Sequence, residues 1–383
     1  MVSFGLDHFL KQVQDYKGKR LALVTNNAAV TSTGISSRLA LLKKGFNITK
    51  LFSPEHGLSS QGADGAFMDS GFDLATNLPV ISLYGDHLFP TPAELEDVDI
   101  VLYDIPDVGC RFYTYLWTMT YVMEACASAG KPFILLDRPN PISGNLELAE
   151  GPMLDEANTV SFLGRWSIPI RHCCTYGELA SYFAAKKLKD LKLTIIPIFN
   201  WDRNETEPAS GWNFTQTSPA IVNTSVALVY PATCLLEGVN VNEGRGTDTP
   251  FTICGAPWID PEELTLQFNS LKQIGVFVEA IKYTPVDGLY SGEECKGIKF
   301  TVTDPSTFRP VAAGVELLKL LYQLYHNRLQ QRLYKTRANP SGEGHLDILL
   351  GVKDSFSKIK KGEAFKLDIS NEWKGLISSY LLY

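Results

Sequence analysis

The sequence predicts an α/β fold, a doubly wound parallel sheet followed by a smaller α+β domain. Two observations carry the first part. Short, fully apolar runs such as residues 21–24 and Phe133–Leu136 are strand-sized. They lack the polar alternation of a sheet with one wet face and suit a parallel sheet covered on both sides. These runs alternate with helix-patterned segments, as crossover connections require. A third observation marks the second part: beyond about residue 240 the alternation gives way to mixed helices and strands. The expected domains are therefore 1–240 and 241–383, and a chain of 383 residues is long enough for two.

Residues 20–25 read as the first strand, ending in Asn26-Asn27, and residues 36–44 have helical spacing. Ile48–Ser53 is the second strand and ends in Pro54-Glu55-His56-Gly57. Residues 80–84 and 100–103 are the third and fourth strands. Tyr115–Ser128 reads as a helix, stopped by Gly130. Phe133–Leu136 is the fifth strand and runs into Asp137-Arg138-Pro139-Asn140-Pro141. A helix over 175–187 opens with Thr175 and Glu178 at capping-box spacing. Residues 193–197 form the sixth strand, and the apolar stretch 226–230 is also strand-sized. In the second domain, 261–271 and 312–326 read as helices, and Val276–Tyr283 and 297–303 as strands.

Composition excludes several classes. Hydrophobic residues are 45% and charged residues 20%, which supports a packed core rather than disorder. A net charge of −7 argues against binding to nucleic acid through its phosphates. No apolar run is long enough for a membrane span. The seven cysteines are odd in number and include no Cys-x-x-Cys, so neither a zinc ribbon nor a disulfide framework is expected. A reducing compartment fits them, and the first residues do not read as a signal peptide, so a cytoplasmic location is expected.

Ligands of an open parallel sheet bind beyond the carboxyl ends of its strands. Polar clusters fall there at Asn26, Glu55-His56, Tyr84, 104–111 and Asp137-Arg138. The first strand lacks the glycine fingerprint of a dinucleotide site, and neither a Walker A loop nor a Gly-x-Ser-x-Gly elbow is present, so no cofactor is expected. The six histidines include no His-x-x-x-His pair, and adjacent Glu55-His56 is poor ligand spacing, so no metal is expected. What remains is carboxylates (Glu55, Asp104, Asp107, Asp137, Glu150, Glu243), arginines (Arg111, Arg138, Arg171, Arg245) and aromatics such as Tyr84, Tyr113 and Tyr115. Carboxylate pairs are the equipment of glycoside hydrolysis, and arginine forks suit a substrate carboxylate or phosphate. The residues thus permit a hydrolase for an acidic sugar, with phosphate esters also open.

Ordered motifs carry a resemblance. They are Phe52-Ser53-Pro54-Glu55-His56-Gly57, Ser82-Leu83-Tyr84-Gly85, Asp107-Val108-Gly109 with Arg111-Phe112-Tyr113-Thr114-Tyr115, and Leu136-Asp137-Arg138-Pro139-Asn140-Pro141. Glu150-Gly151-Pro152, Glu243-Gly244-Arg245-Gly246-Thr247 and Gly255-Ala256-Pro257-Trp258 follow. From about residue 5 to the C-terminus the chain resembles the exo-β-N-acetylmuramidase family, also known as DUF1343. The resemblance implies a Rossmann-like catalytic domain without nucleotide and a small auxiliary domain. It implies removal of terminal N-acetylmuramic acid from the non-reducing end of peptidoglycan fragments, as in cell-wall recycling.

The resemblance also implies two catalytic acids. Glu55 is the first; the second is Glu150 or Asp137, with Glu243 a third option. A partner is expected within about 5 to 9.5 Å of Glu55. Asn26, His56, Tyr84, Arg111, Tyr113, Arg138, Asn140, Glu243 and Arg245 are the expected substrate contacts. At least one of Arg111, Arg138, Arg171 and Arg245 is expected to point its fork at the lactyl carboxylate. Two positions depart from the family pattern: Pro106 replaces a glutamine and Cys173 a glycine, and both are expected to bear on substrate preference. The alternative function is a non-catalytic muropeptide- or sugar-binding protein; retention of Glu55 favours the enzyme.

Overall fold

The structure, a computed structural model, describes residues 1–206 and 211–383. Seven strands form the main sheet: β1 (Leu21–Thr25), β2 (Ile48–Ser53), β3 (Gly71–Phe72), β4 (Pro79–Ser82), β5 (Ile100–Asp104), β6 (Phe133–Leu136) and β7 (Leu193–Ile196). Their order is β3-β4-β2-β1-β5-β6-β7. All neighbours are parallel except β3 with β4. The apolar runs have the expected cause. Leu21 and Leu23 pack on one face with Leu51, Leu102 and Ile134. Ala22 and Val24 pack on the other with Phe52, Val101 and Tyr103. Neither face is left to water, so no polar alternation is needed.

Helices α1 (Ser37–Lys44), α2 (Tyr115–Ser128), α3 (Tyr176–Lys187) and α4 (Thr224–Thr233) follow. The capping box of α3 forms: Glu178 N–H donates to Thr175 Oγ1 at 3.2 Å, and Thr175 N–H donates to Glu178 Oε2 at 3.0 Å. The stretch 226–230 is not a strand; it lies inside α4, which starts where Asn223 Oδ1 accepts the Val226 N–H at 3.0 Å. Nearly every residue of α4 is buried, and a helix buried all round has no polar face to betray its period.

The remaining chain adds β8 (Ile253–Ala256), α5 (Pro261–Ser270), β9 (Val276–Tyr283), β10 (Cys295–Val302) and α6 (Pro310–Tyr325). Its antiparallel sheet has the order β8-β10-β9. β8 carries no sequence signal that separates it from the glycine-rich loop before it. Helices α4 and α6 pack so closely that a Cβ on Gly314 would stand 2.5 Å from the Ala232 carbonyl oxygen. One core cluster runs from Ala22 to Ile377, so the second part is fused to the sheet rather than tethered to it. All seven cysteines are buried free thiols. Among the described residues no helix is long and apolar enough to cross a membrane.

Candidate active site

Strand β2 ends on the floor of a cleft. Pro54 follows the strand, and His56 and Gly57 then both turn left-handed, with φ of 65° and 69°. Such a turn is costly for histidine and is fastened here by a His56 Nδ1–H bond to the Gly62 carbonyl at 2.8 Å. The reversal aims Glu55 into the cleft, where it is only 5% exposed. Its Oε1 accepts the Gly65 N–H at 2.9 Å. Burial pushes its pKa up, and the neighbouring Asp64 carboxylate adds to the rise against opposition from His56 and Thr114.

Asp64 was not foreseen. The side-chain ligand atoms of Glu55, His56 and Asp64 all lie within 4.8 Å of one another. Crowding neighbours partly desolvate the exposed Asp64, but Arg245 at 3.2 Å, His56 and the Tyr334 hydroxyl at 2.6 Å overcome this and hold its pKa below the ordinary range. Two carboxylates side by side are thus driven apart, one toward its acid form and one toward its anion. That is the arrangement of an acid paired with a nucleophile or charge stabiliser. The same three groups answer the objection to a metal drawn from adjacent Glu55-His56, because the loop to Asp64 brings a third ligand. A cation would have to compete with Arg245 and Tyr334 for Asp64.

Behind this pair stands a charged wall. Glu237 accepts from Arg245 Nη2 at 2.9 Å and lies 3.3 Å from His345 Nε2. Tyr334 stacks on His345 with ring centroids 4.5 Å apart. Tyr84, Phe112, Tyr113, Phe162, Tyr230 and Phe251 supply the apolar walls.

Of the expected residues, Glu55, His56, Tyr84, Tyr113 and Arg245 line the cleft. The others are engaged elsewhere. Asp137 accepts from Thr175 Oγ1 at 2.7 Å, the Gly177 N–H at 2.9 Å and the Tyr383 hydroxyl at 2.8 Å, so it seats α3 and the C-terminus. A Cβ on Gly177 would come within 2.4 Å of that carboxylate. Glu150 accepts the Ala312 N–H at 2.9 Å and the Val311 N–H at 3.3 Å, which caps α6. Neither lines the cleft. Glu243 sits one layer behind, 3.3 Å from Arg245.

Three of the four arginines serve the fold. Arg111 donates to the carbonyls of Pro152, Ile168 and Leu349 at 2.7 to 3.0 Å, and burial pushes its pKa down to about 9. Arg171 donates to the Phe308 and Ile142 carbonyls at 2.9 and 2.7 Å. Arg138 forks onto Asp104 at 2.6 and 3.0 Å. Asn140 closes its own turn through the Ile142 N–H, and Asn26 does the same through the Ala28 N–H. Pro106 and Cys173 also lie off the cleft. Cys173 has φ of 52°, a backbone state that glycine adopts more readily than cysteine.

The assignment of Glu150 as a cap has a measurable consequence. Glu150→Ala strips two helix N–H groups and leaves buried Arg171 without its nearby anion; a loss of about 3 kcal/mol is expected in chemical denaturation. Burial raises Glu150 and Asp137 each to about 7. These two groups hold protons in the folded chain that the unfolded chain releases, so their contribution to stability should fall as pH rises from about 4.5 through 7. A destabilisation by Glu150→Ala that grows over that range contradicts the assignment.

An open α/β sheet whose strand-end cleft pairs two carboxylates against aromatic walls has the makings of a glycoside hydrolase. Comparison with known proteins agrees. The family model for the N-terminal part of exo-beta-N-acetylmuramidase NamZ matches residues 21–225, and that for its C-terminal part matches 228–383. The peptidoglycan beta-N-acetylmuramidase NamZ of Bacillus subtilis (strain 168) is 41% identical over 327 residues, which is 85% of this chain and 78% of that protein. Two crystal structures of DUF1343 family proteins from Bacteroides fragilis superpose over 100% of this chain and 99% of theirs. Their TM-scores are 0.88 and 0.74, at 28% and 26% identity. The chain belongs to the exo-β-N-acetylmuramidase NamZ family.

Proposed function

We propose that this chain is an exo-acting glycosidase that releases terminal N-acetylmuramic acid from the non-reducing end of peptidoglycan fragments. The observation that carries the reading is the buried Glu55 carboxyl within 4.8 Å of Asp64. Glu55, its pKa raised by burial, donates its proton to the glycosidic oxygen as the bond to the anomeric carbon breaks. Asp64, kept anionic by Arg245 and Tyr334, attacks that carbon or steadies its positive charge. Glu55, now ionised, then takes a proton from the water that completes hydrolysis. An intact, oppositely biased acid pair argues against a protein that only binds sugar, which has no use for one.

Retaining glycosidases hold their carboxyl groups about 5–5.5 Å apart and inverting ones about 6.5–9.5 Å. The Glu55–Asp64 separation favours retention, so the β-anomer of N-acetylmuramic acid should be the first product. Proton NMR during hydrolysis of a muramyl-β-1,4-glucosamine disaccharide checks this. First appearance of the α-anomer contradicts the Asp64 role, and no release of the muramic sugar contradicts the function itself.

A further inference from the structure

A substrate that carries a carboxylate meets a cleft already rich in acid. Glu55, Asp64 and Glu237 line it together with Arg245, whose guanidinium lies within 3.3 Å of Asp64, Glu237 and Glu243. A cation shared by three carboxylates has no charge left for a fourth. The lactyl carboxylate of N-acetylmuramic acid must therefore be met at the rim of the cleft. Its arm leaves the sugar ring two carbons from the anomeric carbon, so the cation that meets it stands close to the acid pair.

Arg337 stands there. Gly65, whose N–H bonds to Glu55, accepts the Arg337 N–H on its carbonyl at 2.8 Å. The two segments are pressed so closely that a Cβ on Gly65 would lie 2.8 Å from the Thr336 side chain. Thr336 and Ala338, on either side of Arg337, line the cleft, as does Tyr84. The Arg337 side chain is exposed and reaches the residue after Tyr84: its Nε donates to the Gly85 carbonyl at 3.1 Å. Among the described residues no carboxylate pairs with it. One bond to a neutral carbonyl fixes the base of the fork and leaves its two terminal nitrogens free, the geometry that grips a carboxylate with two parallel bonds. Lys335, two residues back toward Tyr334's side of the segment, lies against Gly342 instead. We infer that Arg337 is the specificity residue that binds the lactyl carboxylate. The inference rests on the muramidase reading and names how that site tells muramic acid from a neutral sugar.

Calorimetric titration of the Glu55→Gln protein with two ligands tests it: the muramyl–glucosamine disaccharide, and the same disaccharide with its lactyl acid made a primary amide. The acid should bind about 10- to 100-fold tighter than the amide, the range that charge-assisted hydrogen bonds supply. Arg337→Ala in the same background should erase that preference by weakening the acid alone. Arg337→Lys should keep part of it, and Lys335→Ala all of it. Equal affinity for acid and amide, or a preference that survives Arg337→Ala, overturns the assignment. With Glu55 intact, the Arg337→Ala loss should fall on KM and leave kcat nearly unchanged, a split that general damage to the fold would not give. Failure of the parent reading looks different: protein with Glu55 intact would bind the acid and cleave neither ligand.

Discussion

Glu55→Gln should lower hydrolysis of a muramyl–glucosamine disaccharide by about 10²–10⁴-fold, the usual contribution of a positioned acid. Glutamine keeps the shape of the side chain and can still accept the Gly65 N–H bond, so the fold should survive and the denaturation midpoint should barely move. The diagnostic is the leaving group. A nitrophenolate departs without a proton, so a nitrophenyl β-N-acetylmuramide should lose far less activity than the disaccharide. Equal losses on both substrates would mean that Glu55 is not the acid. The pH profile reports on the same group. Activity requires Glu55 protonated, and its raised pKa places the alkaline limb above the ordinary carboxylate range. The glutamine variant should have no such limb.

Asp64→Ala should cost about 10²–10³-fold, as expected for the loss of a charge aimed at the developing cation. Asp64 is the better test of the site because sequence reasoning did not propose it. With its pKa lowered by Arg245 and Tyr334, it sets the acid limb, so activity should climb as pH rises through a value below the usual range. Asp64→Asn should erase that limb and leave the alkaline one. Azide offers an assignment independent of rate. In Asp64→Ala it fills the emptied space and attacks the anomeric carbon from the face opposite the leaving group, giving an α-glycosyl azide. A β-azide from Asp64→Ala would exchange the roles of the two carboxylates.

Glu55 was legible because its position is decided locally. An apolar strand, a proline and a left-handed turn place it at a strand end whatever the rest of the chain does, and the Pro-Glu-His-Gly motif marks the spot. The doubly wound sheet was legible for the same reason, since strand burial on two faces writes itself into consecutive residues. The helix over 224–233 was not, because total burial removes the polar face from which a helical period is read.

The partner acid could not be read the same way. Glu150, Asp137 and Asp64 are all carboxylates in loops, and a motif does not say whether such a group caps a helix or faces a substrate. Helices α3 and α6 claimed the first two, because their N-terminal N–H groups need acceptors where water is excluded. The fate of Arg111 and Arg171 was likewise decided by which backbone carbonyls lie within their reach. Tyr334 reaches Asp64 across 270 residues of sequence, and with Glu237 and His345 it completes a wall that only folding assembles. The sheet and the family could be read from consecutive residues and ordered motifs, and so could the place of Glu55 at a strand end. The tertiary structure decided which second charge stands beside it, because that depends on how distant segments compete for the same donors.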